Sequence, residues 1–211
     1  MIQGLPIVIS APSGTGKGTV IPLVLKRMRH MFYSISCTTR PPRPKERHGE
    51  NYYFIGRDEF EQRIADGLML EYNEYVGNLY GTPKKETDEK LAAGMDVLFE
   101  LDVNGAMNLR KSMPGAVLIM IMPPDYKTLE TRLRGRGTDQ DHVIENRMKT
   151  SLREIEYFSR YDYFVVNETG KPDLAAKEIA GIIEAERHKT FRFPHYTNQF
   201  FTPDTDLQGG L

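Results

Sequence analysis

The chain has 211 residues, 39% of them hydrophobic and 27% charged. That is enough apolar material for one globular domain, or for a core with inserted subdomains. Its 28 basic and 29 acidic residues leave a formal net charge of −1, which excludes a general nucleic-acid coat, because such a coat needs a basic excess.

The single cysteine, Cys37, excludes an internal disulfide and fits a reducing cytosol. Cys37 is expected to be small and buried, with no histidine patterned to make it a nucleophile. The five histidines lack metal-ligand spacing. The N-terminal apolar run LPIVISA is short and has no basic segment before it, so no secretory signal is read. No run reaches the roughly 20 apolar residues of a membrane-spanning helix. The expected location is cytoplasmic.

In chain order, PIVISA (6–11) reads as a buried strand, and residues 17–31 read as a helix with apolar Val20, Leu23, Val24 and Met28. Residues 36–94 interrupt the pattern. They hold a Pro/Arg-rich loop, then strand-like YYFI and MLEYNEYVG around a helix in DEFEQRIADG, which together suggest a small α+β insertion. DVLFELD (96–102), GAVLIMIM (115–122) and YDYFVVN (161–167) read as further buried strands. Helices are expected at about 104–112, 125–135 and 172–190. Between two helices, RLRGRGTDQDHVIENR (132–147) carries two Gly and four Arg and suits a mobile lid. From His188 onward no period is visible; the aromatics of this tail can pack on the body, and its end is expected to fray. Strands alternating with helices imply an α/β fold whose parallel sheet is covered on both faces. Ligands bind beyond the carboxyl ends of such strands.

The stretch SAPSGTGKGTV (10–20) stands where the first strand meets the first helix. Glycines there let backbone N–H groups approach phosphate oxygens, the helix points its positive end at the same anion, and Lys17 adds a point charge. A Gly-rich turn without a ligand is the competing reading, but strand, loop, Lys and helix occur in the required order. Two positions depart from GxxxxGK[ST]: Ala11 replaces the first Gly, and Gly18 removes the hydroxyl that usually ligates magnesium. Thr19 follows directly. The form GKGT is similar to that of adenylate kinases, where the metal is held mostly by nucleotide and waters.

In SISCTTRPPRPKERHGENYYF (34–54), Arg40, Arg43, Lys45 and Arg47 share one loop stiffened by Pro41, Pro42 and Pro44. Guanidinium forks grip phosphate bidentately. A solvated basic loop is the bland alternative. The order S-x-S-x-TTR-x-PRP-x-E-x-x-G-x-x-YYF, followed by GNLYGT (77–82), RLRGRG (132–137) and VVN (165–167), resembles the guanylate kinase family from about residue 5 to 190.

That resemblance implies a P-loop kinase core (about 1–35, 95–131 and 148–190), a GMP-binding insertion (36–94), a lid (132–147) and a tail (191–211). It implies transfer of a phosphoryl group from ATP, with Mg²⁺, to GMP and also dGMP. ATP would be bound by Ala11, Pro12, Ser13, Gly14, Thr15, Gly16, Lys17, Gly18, Thr19, Arg132, Arg136 and Asn167. Ser36, Glu71, Thr82 and Asp102 would contact guanine, and Arg40, Arg43, Tyr52 and Tyr80 the GMP phosphate, with Glu46 close by. Lys17, Arg40, Arg136 and Arg147 would serve catalysis. Lid-side Arg132, Arg136 and Arg147 would reach toward the transferring group. Glu100 stands where the family usually has Asp, a residue expected to hold a metal-bound water, and Asn104 stands where Gln is common. No nucleic acid or membrane partner is implied, and the oligomeric state is open.

The chemistry of Glu71 agrees with that assignment. Guanine presents N1–H and N2–H₂ as adjacent donors, which one carboxylate can accept together; adenine has no such pair. An outward strand carboxylate is the plain alternative. Two other functions compete: a guanylate-kinase-like module that binds phosphoproteins without catalysis, and a kinase of the same fold acting on AMP or a phosphorylated sugar. Lys17 and the lid arginines oppose the first. A base pocket of Ser36, Glu71, Thr82 and Asp102 opposes the second.

Overall fold

In the computed structural model, which describes residues 3–135 and 141–198, the N-terminal apolar run forms β1 (Pro6–Ser10) at the centre of a sheet. The other strands are β2 (Met31–Tyr33), β7 (Asp96–Glu100), β8 (Val117–Met122) and β9 (Tyr163–Val166). Their order is β2-β7-β1-β8-β9, and every pairing is parallel. Alternate residues of the central strands point to opposite faces. Ile7, Ile9, Leu98, Ile119 and Ile121 pack with α1 (Lys17–Arg27) and α7 (Pro172–Arg187). Val8, Val97, Phe99 and Leu118 pack with α3 (Lys84–Ala92) and α4 (Val103–Ser112). Both faces are therefore buried, which explains why these strands read as continuous apolar runs.

The segment between β2 and β7 forms a second sheet of order β4-β3-β6-β5. It comprises β3 (Cys37–Thr38), β4 (Tyr53–Phe54), β5 (Met69–Tyr75) and β6 (Asn78–Pro83), with α2 (Arg57–Ala65) against it. Cys37, Phe60 and Leu79 form its small core. Burial pushes the Cys37 thiol up to about 11, so it is a packing residue with almost no thiolate at neutral pH. Strands β3 and β6 and helix α3 are absent from the sequence reading. The first has two residues, too few to show a period of two.

Two expectations change. The helix expected over 17–31 stops at Arg27; Met28 is extended, and Met31–Tyr33 pair with Asp96–Leu98. Three residues at a sheet edge carry too little alternation to reveal a strand, so Met28 looked like one more helical apolar position. The polar stretch 132–147 is largely helical where described, since α5 (Tyr126–Arg134) runs into it and α6 (Asp141–Ile155) begins in it. Leu129, Leu133, Ile144 and Met148 form a core across that stretch, too sparsely spaced to offset its charge in the sequence. Arg136 lies outside the described residues. Beyond α7, Arg192 donates from Nε to the Glu186 carbonyl at 2.8 Å, so the tail is tied down at that point. Residues 199–211 lie outside the described residues. Among the described residues no helix is long and apolar enough to cross a membrane.

The residue before β1 and the last residue of α7 meet at Asp96. Its side chain is 5% exposed; Oδ1 accepts the Leu5 N–H at 2.8 Å and Oδ2 accepts Arg187 Nε–H at 2.7 Å. Asp96→Ala is expected to lower stability by about 2–3 kcal/mol, because a buried N–H and a guanidinium both lose their acceptor. Asp96→Asn, which keeps one carbonyl acceptor, is expected to lose less. Urea denaturation at pH 7 measures both; equal stability of wild type and Asp96→Ala would contradict the account.

Candidate active site

Beyond the carboxyl end of β1 the chain turns through Ala11–Gly16 into α1. Gly14 and Gly16 take φ of 88° and 91°, a left-handed conformation that costs other residues free energy. Gly16 is also hemmed in: a Cβ there would lie 2.4 Å from Asn167 Nδ2. Asn167 is 5% exposed and donates from Nδ2 to the Thr15 carbonyl at 2.7 Å. The loop's backbone is thus held from behind at the Thr15 carbonyl.

Outward lies a cavity of about 560 Å³ lined by Ala11, Pro12, Ser13, Gly14, Gly16, Lys17, Gly18, Thr19, Arg147 and Glu154. A second cavity of about 440 Å³ adjoins it and shares Lys17, Tyr75 and Asp102. Ser36, Glu46, Tyr52, Glu71, Tyr80, Glu100 and Asp102 line this second space. Two sequence-distant regions, 11–19 and 36–81, therefore open on one another across Lys17.

At the floor of the second cavity Glu71 is 6% exposed and accepts the Thr82 hydroxyl at 2.7 Å. Burial, and then the charge of Asp102, push its carboxyl up to about 7, against the pull of Thr82. Asp102 caps α4: its Oδ1 accepts the Gly105 N–H at 2.7 Å. Gly105 lets that helix end come close, since a Cβ there would lie 3.3 Å from Glu71 Oε2. Asn73, two residues along β5 from Glu71, donates to both Asp102 oxygens at 3.2 and 3.3 Å. This floor is rich in acceptors and suits a ligand with adjacent N–H donors.

The wall is a loop organised by Glu46. It accepts Arg40 Nη2–H at 3.0 Å and the Arg43 backbone N–H at 2.7 Å, and these hold it below the usual carboxylate range, Arg43 first. The Arg40 guanidinium lies over the rings of Tyr52 and Phe54, at 5.6 and 5.8 Å, and its Nε is buried without a partner among the described residues. Arg43 is exposed and lines neither cavity. Thr82 stands behind Glu71, fully buried.

Where the cavities join, Lys17 Nζ donates to the Leu101 carbonyl at 3.2 Å and lies 3.6 Å from Glu100 Oε1. Glu100 Oε2 accepts the Tyr33 hydroxyl at 2.8 Å, and burial, then Glu100, raise the Tyr33 phenol. Among the described residues no group of three or more His, Cys, Asp or Glu could hold a metal. One carboxylate beside a phosphate loop fits a hard cation that keeps most of its ligands as water and bound anion oxygens.

Of the lid-side arginines, Arg147 lines the phosphate cavity. Arg132 does not: its Nη1 donates to the Thr15 carbonyl at 3.3 Å and its Nη2 to the Asn167 carbonyl at 2.8 Å. It faces the back of the loop, drawn by three oxygens including Thr169 Oγ1. Asn167 likewise donates its Nδ2–H to the loop, while its Oδ1 is buried without a partner among the described residues. Sequence reading missed Tyr33, Asn73, Ser151 and Glu154. Only Asn73 left a signal, the period of two it shares with Glu71.

A sequence model described as guanylate kinase matches residues 3–186. Among curated proteins, a guanylate kinase of Listeria innocua is 52% identical over 194 residues, 92% of this chain and 94% of its own length. One from Streptococcus thermophilus is 48% identical over 198 residues, 93% and 94% of the two chains. A crystal structure of guanylate kinase from Anaplasma phagocytophilum superposes with a TM-score of 0.74 at 30% identity, covering 94% of this chain and 96% of that one.

The loop geometry predicts unequal glycines. Gly16→Ala adds left-handed strain of about 1–2 kcal/mol and a clash with Asn167, so Tm is expected to fall by about 4–8 °C. Gly18 has open space around it, and Gly18→Ala on the first turn of α1 is expected to leave Tm unchanged or slightly raised. Thermal melts in which both variants fall equally would contradict this account.

Proposed function

This chain belongs to the guanylate kinase family, and from that premise we propose how its two joined cavities move the γ-phosphoryl group of ATP onto GMP. The reaction gives ADP and GDP, and the chain is an ATP-dependent nucleoside monophosphate kinase. The observation that carries the reading of the site is the junction: Lys17 and Asp102 line both cavities, so two bound phosphates can meet there.

ATP phosphates lie along residues 11–19, held by backbone N–H groups and the positive end of α1. Lys17 neutralises charge on the β/γ side. Arg147 reaches the transferring group from α6; the same role for Arg136, outside the described residues, rests on the family resemblance. Arg132 and Asn167 act from behind by fixing the loop. GMP occupies the second cavity. Its phosphate faces Arg40, Tyr52 and Tyr80, with Glu46 preorganising Arg40 and the Arg43 backbone, and its base rests on Ser36, Glu71 and Asp102, with buried Thr82 supporting Glu71 from behind. Holding two phosphates in line and neutralising their charge supplies most of what phosphoryl transfer needs. The acceptor is already an ionised phosphate, so no strong general base is required. Glu100, 3.6 Å from Lys17 at the junction, would be the protein carboxylate to hold Mg²⁺ through water, and the ion would supply further charge neutralisation there.

The domain division follows the same reading: core at about 1–35, 95–131 and 148–190, insertion 36–94, lid 132–147. Closure of the lid excludes water that would hydrolyse ATP. A place in purine nucleotide metabolism in the cytoplasm fits the reaction and the single reduced cysteine.

ADP production from Mg-ATP with GMP, dGMP, AMP, CMP or UMP tests the substrate assignment. Turnover with GMP and dGMP is expected far above the rest; comparable turnover with AMP would remove the guanine role of Glu71. A pH series tests Glu71 itself. It accepts both guanine donors only when ionised, and in the ligand-free protein its pKa is about 7. As pH falls through 7 a proton competes with GMP, so KM for GMP is expected to rise, approaching tenfold per pH unit well below 7, while KM for ATP changes little. The GMP phosphate titrates near pH 6, so Glu71→Gln is the reference profile. That variant is expected to lose this dependence and to bind GMP about 10²–10⁴-fold more weakly. Identical profiles for variant and wild type would contradict the role.

A further inference from the structure

One loop residue is held at every polar group it owns, and all three holds come from one helix. Arg147 Nη2–H donates to Ser13 Oγ at 2.8 Å. The Ser151 hydroxyl donates to the Ser13 carbonyl at 3.2 Å. The Ser13 backbone N–H donates to Glu154 Oε2 at 3.3 Å. Positions 147, 151 and 154 are spaced i, i+4, i+7, which puts them on one face of α6. Ser151 is fully buried, so its bond is shielded from water. Glu154 lines the phosphate cavity; burial raises its carboxyl, and the Ser13 N–H opposes that rise.

We propose that Ser13 is a positioning residue for Arg147, gripped by Ser151 and Glu154 so that the phosphate loop and α6 keep one fixed relation. The inference rests on the reading of Arg147 as an arginine that reaches the transferring phosphoryl group. Its physical basis is entropic and geometric. An arginine side chain has many rotamers, and a catalytic guanidinium is effective only in the one aimed at the developing charge. The hydroxyl of Ser13 fixes one nitrogen of a guanidinium that carries five donors in a rigid fork. The bonds from Ser151 and Glu154 fix the backbone that carries this hydroxyl. Because α6 follows directly on residues 136–140, the grip also carries any displacement of α6 into the loop.

A double-mutant cycle on kcat at saturating Mg-ATP and GMP tests this. Ser13→Ala is expected to lower kcat about tenfold with KM for ATP within about twofold, because the backbone N–H groups of the loop are untouched. In an Arg147→Ala background the same change is expected to cost less than about twofold, since nothing remains to be positioned. Ser13→Thr keeps the hydroxyl and is expected to restore most of the rate. Should Ser13→Ala fail to fold, Ser151→Ala and Glu154→Gln are read in the same cycle, with the same loss of effect when Arg147 is absent. Equal costs in both backgrounds would overturn the positioning role while leaving Arg147 as a catalytic residue. A full rate in Arg147→Ala alone would overturn the role of Arg147 and this inference together.

Discussion

A protein that grips phosphate with backbone N–H groups must bend its chain in a way most side chains resist. Here that bend comes directly off the central strand, at Gly14 and Gly16, both left-handed. Everything nearby is arranged to hold it. β1 is anchored by β7 on one side and β8 on the other. Asn167 and Arg132 hold the Thr15 carbonyl from behind, and α6 takes hold of Ser13 in front. A turn with so few contacts of its own would otherwise sample many conformations, and binding would have to freeze them.

The second constraint is charge. A chain of net charge −1 gathers two nucleotides that are strongly anionic. Two cations of the cleft are balanced by carboxylates in the resting protein. Lys17 lies by Glu100, and Arg40 is paired with Glu46. These pairs keep side chains extended and ready while limiting the repulsion and desolvation of bare charges. The floor of the second cavity works by the opposite logic. Glu71 and Asp102 face each other there, and Glu71 is poised near neutrality. A ligand that brings two donors to Glu71 makes its charge favourable again, whereas a ligand without them leaves a buried acceptor unmatched.

Much of this is legible in the residue order alone. The phosphate loop declared itself by small residues, Lys17 and position between strand and helix. The TTR/PRP loop with GNLYGT gave the second ligand through its resemblance. The buried central strands were plain as apolar runs. Short pieces were not: β2 and β3 hold three and two residues, below what alternation can reveal. Nor did the sequence show that the charged stretch after Leu129 hides a four-residue core.

The sequence by itself determined chemistry that local residue order carries: glycines where the chain must turn, a lysine beside them, arginines stiffened by prolines, and a carboxylate opposite a donor pair. Only the tertiary structure decided which of those groups face one another. Glu100 meets Tyr33 from a neighbouring strand, Arg132 turns to the back of the loop rather than into the cleft, and Ser13 is held from more than 130 residues away. Hydrogen bonds of that kind depend on distances and directions between elements. Those are set by how the sheet, α5 and α6 pack, and no pattern along the chain encodes them.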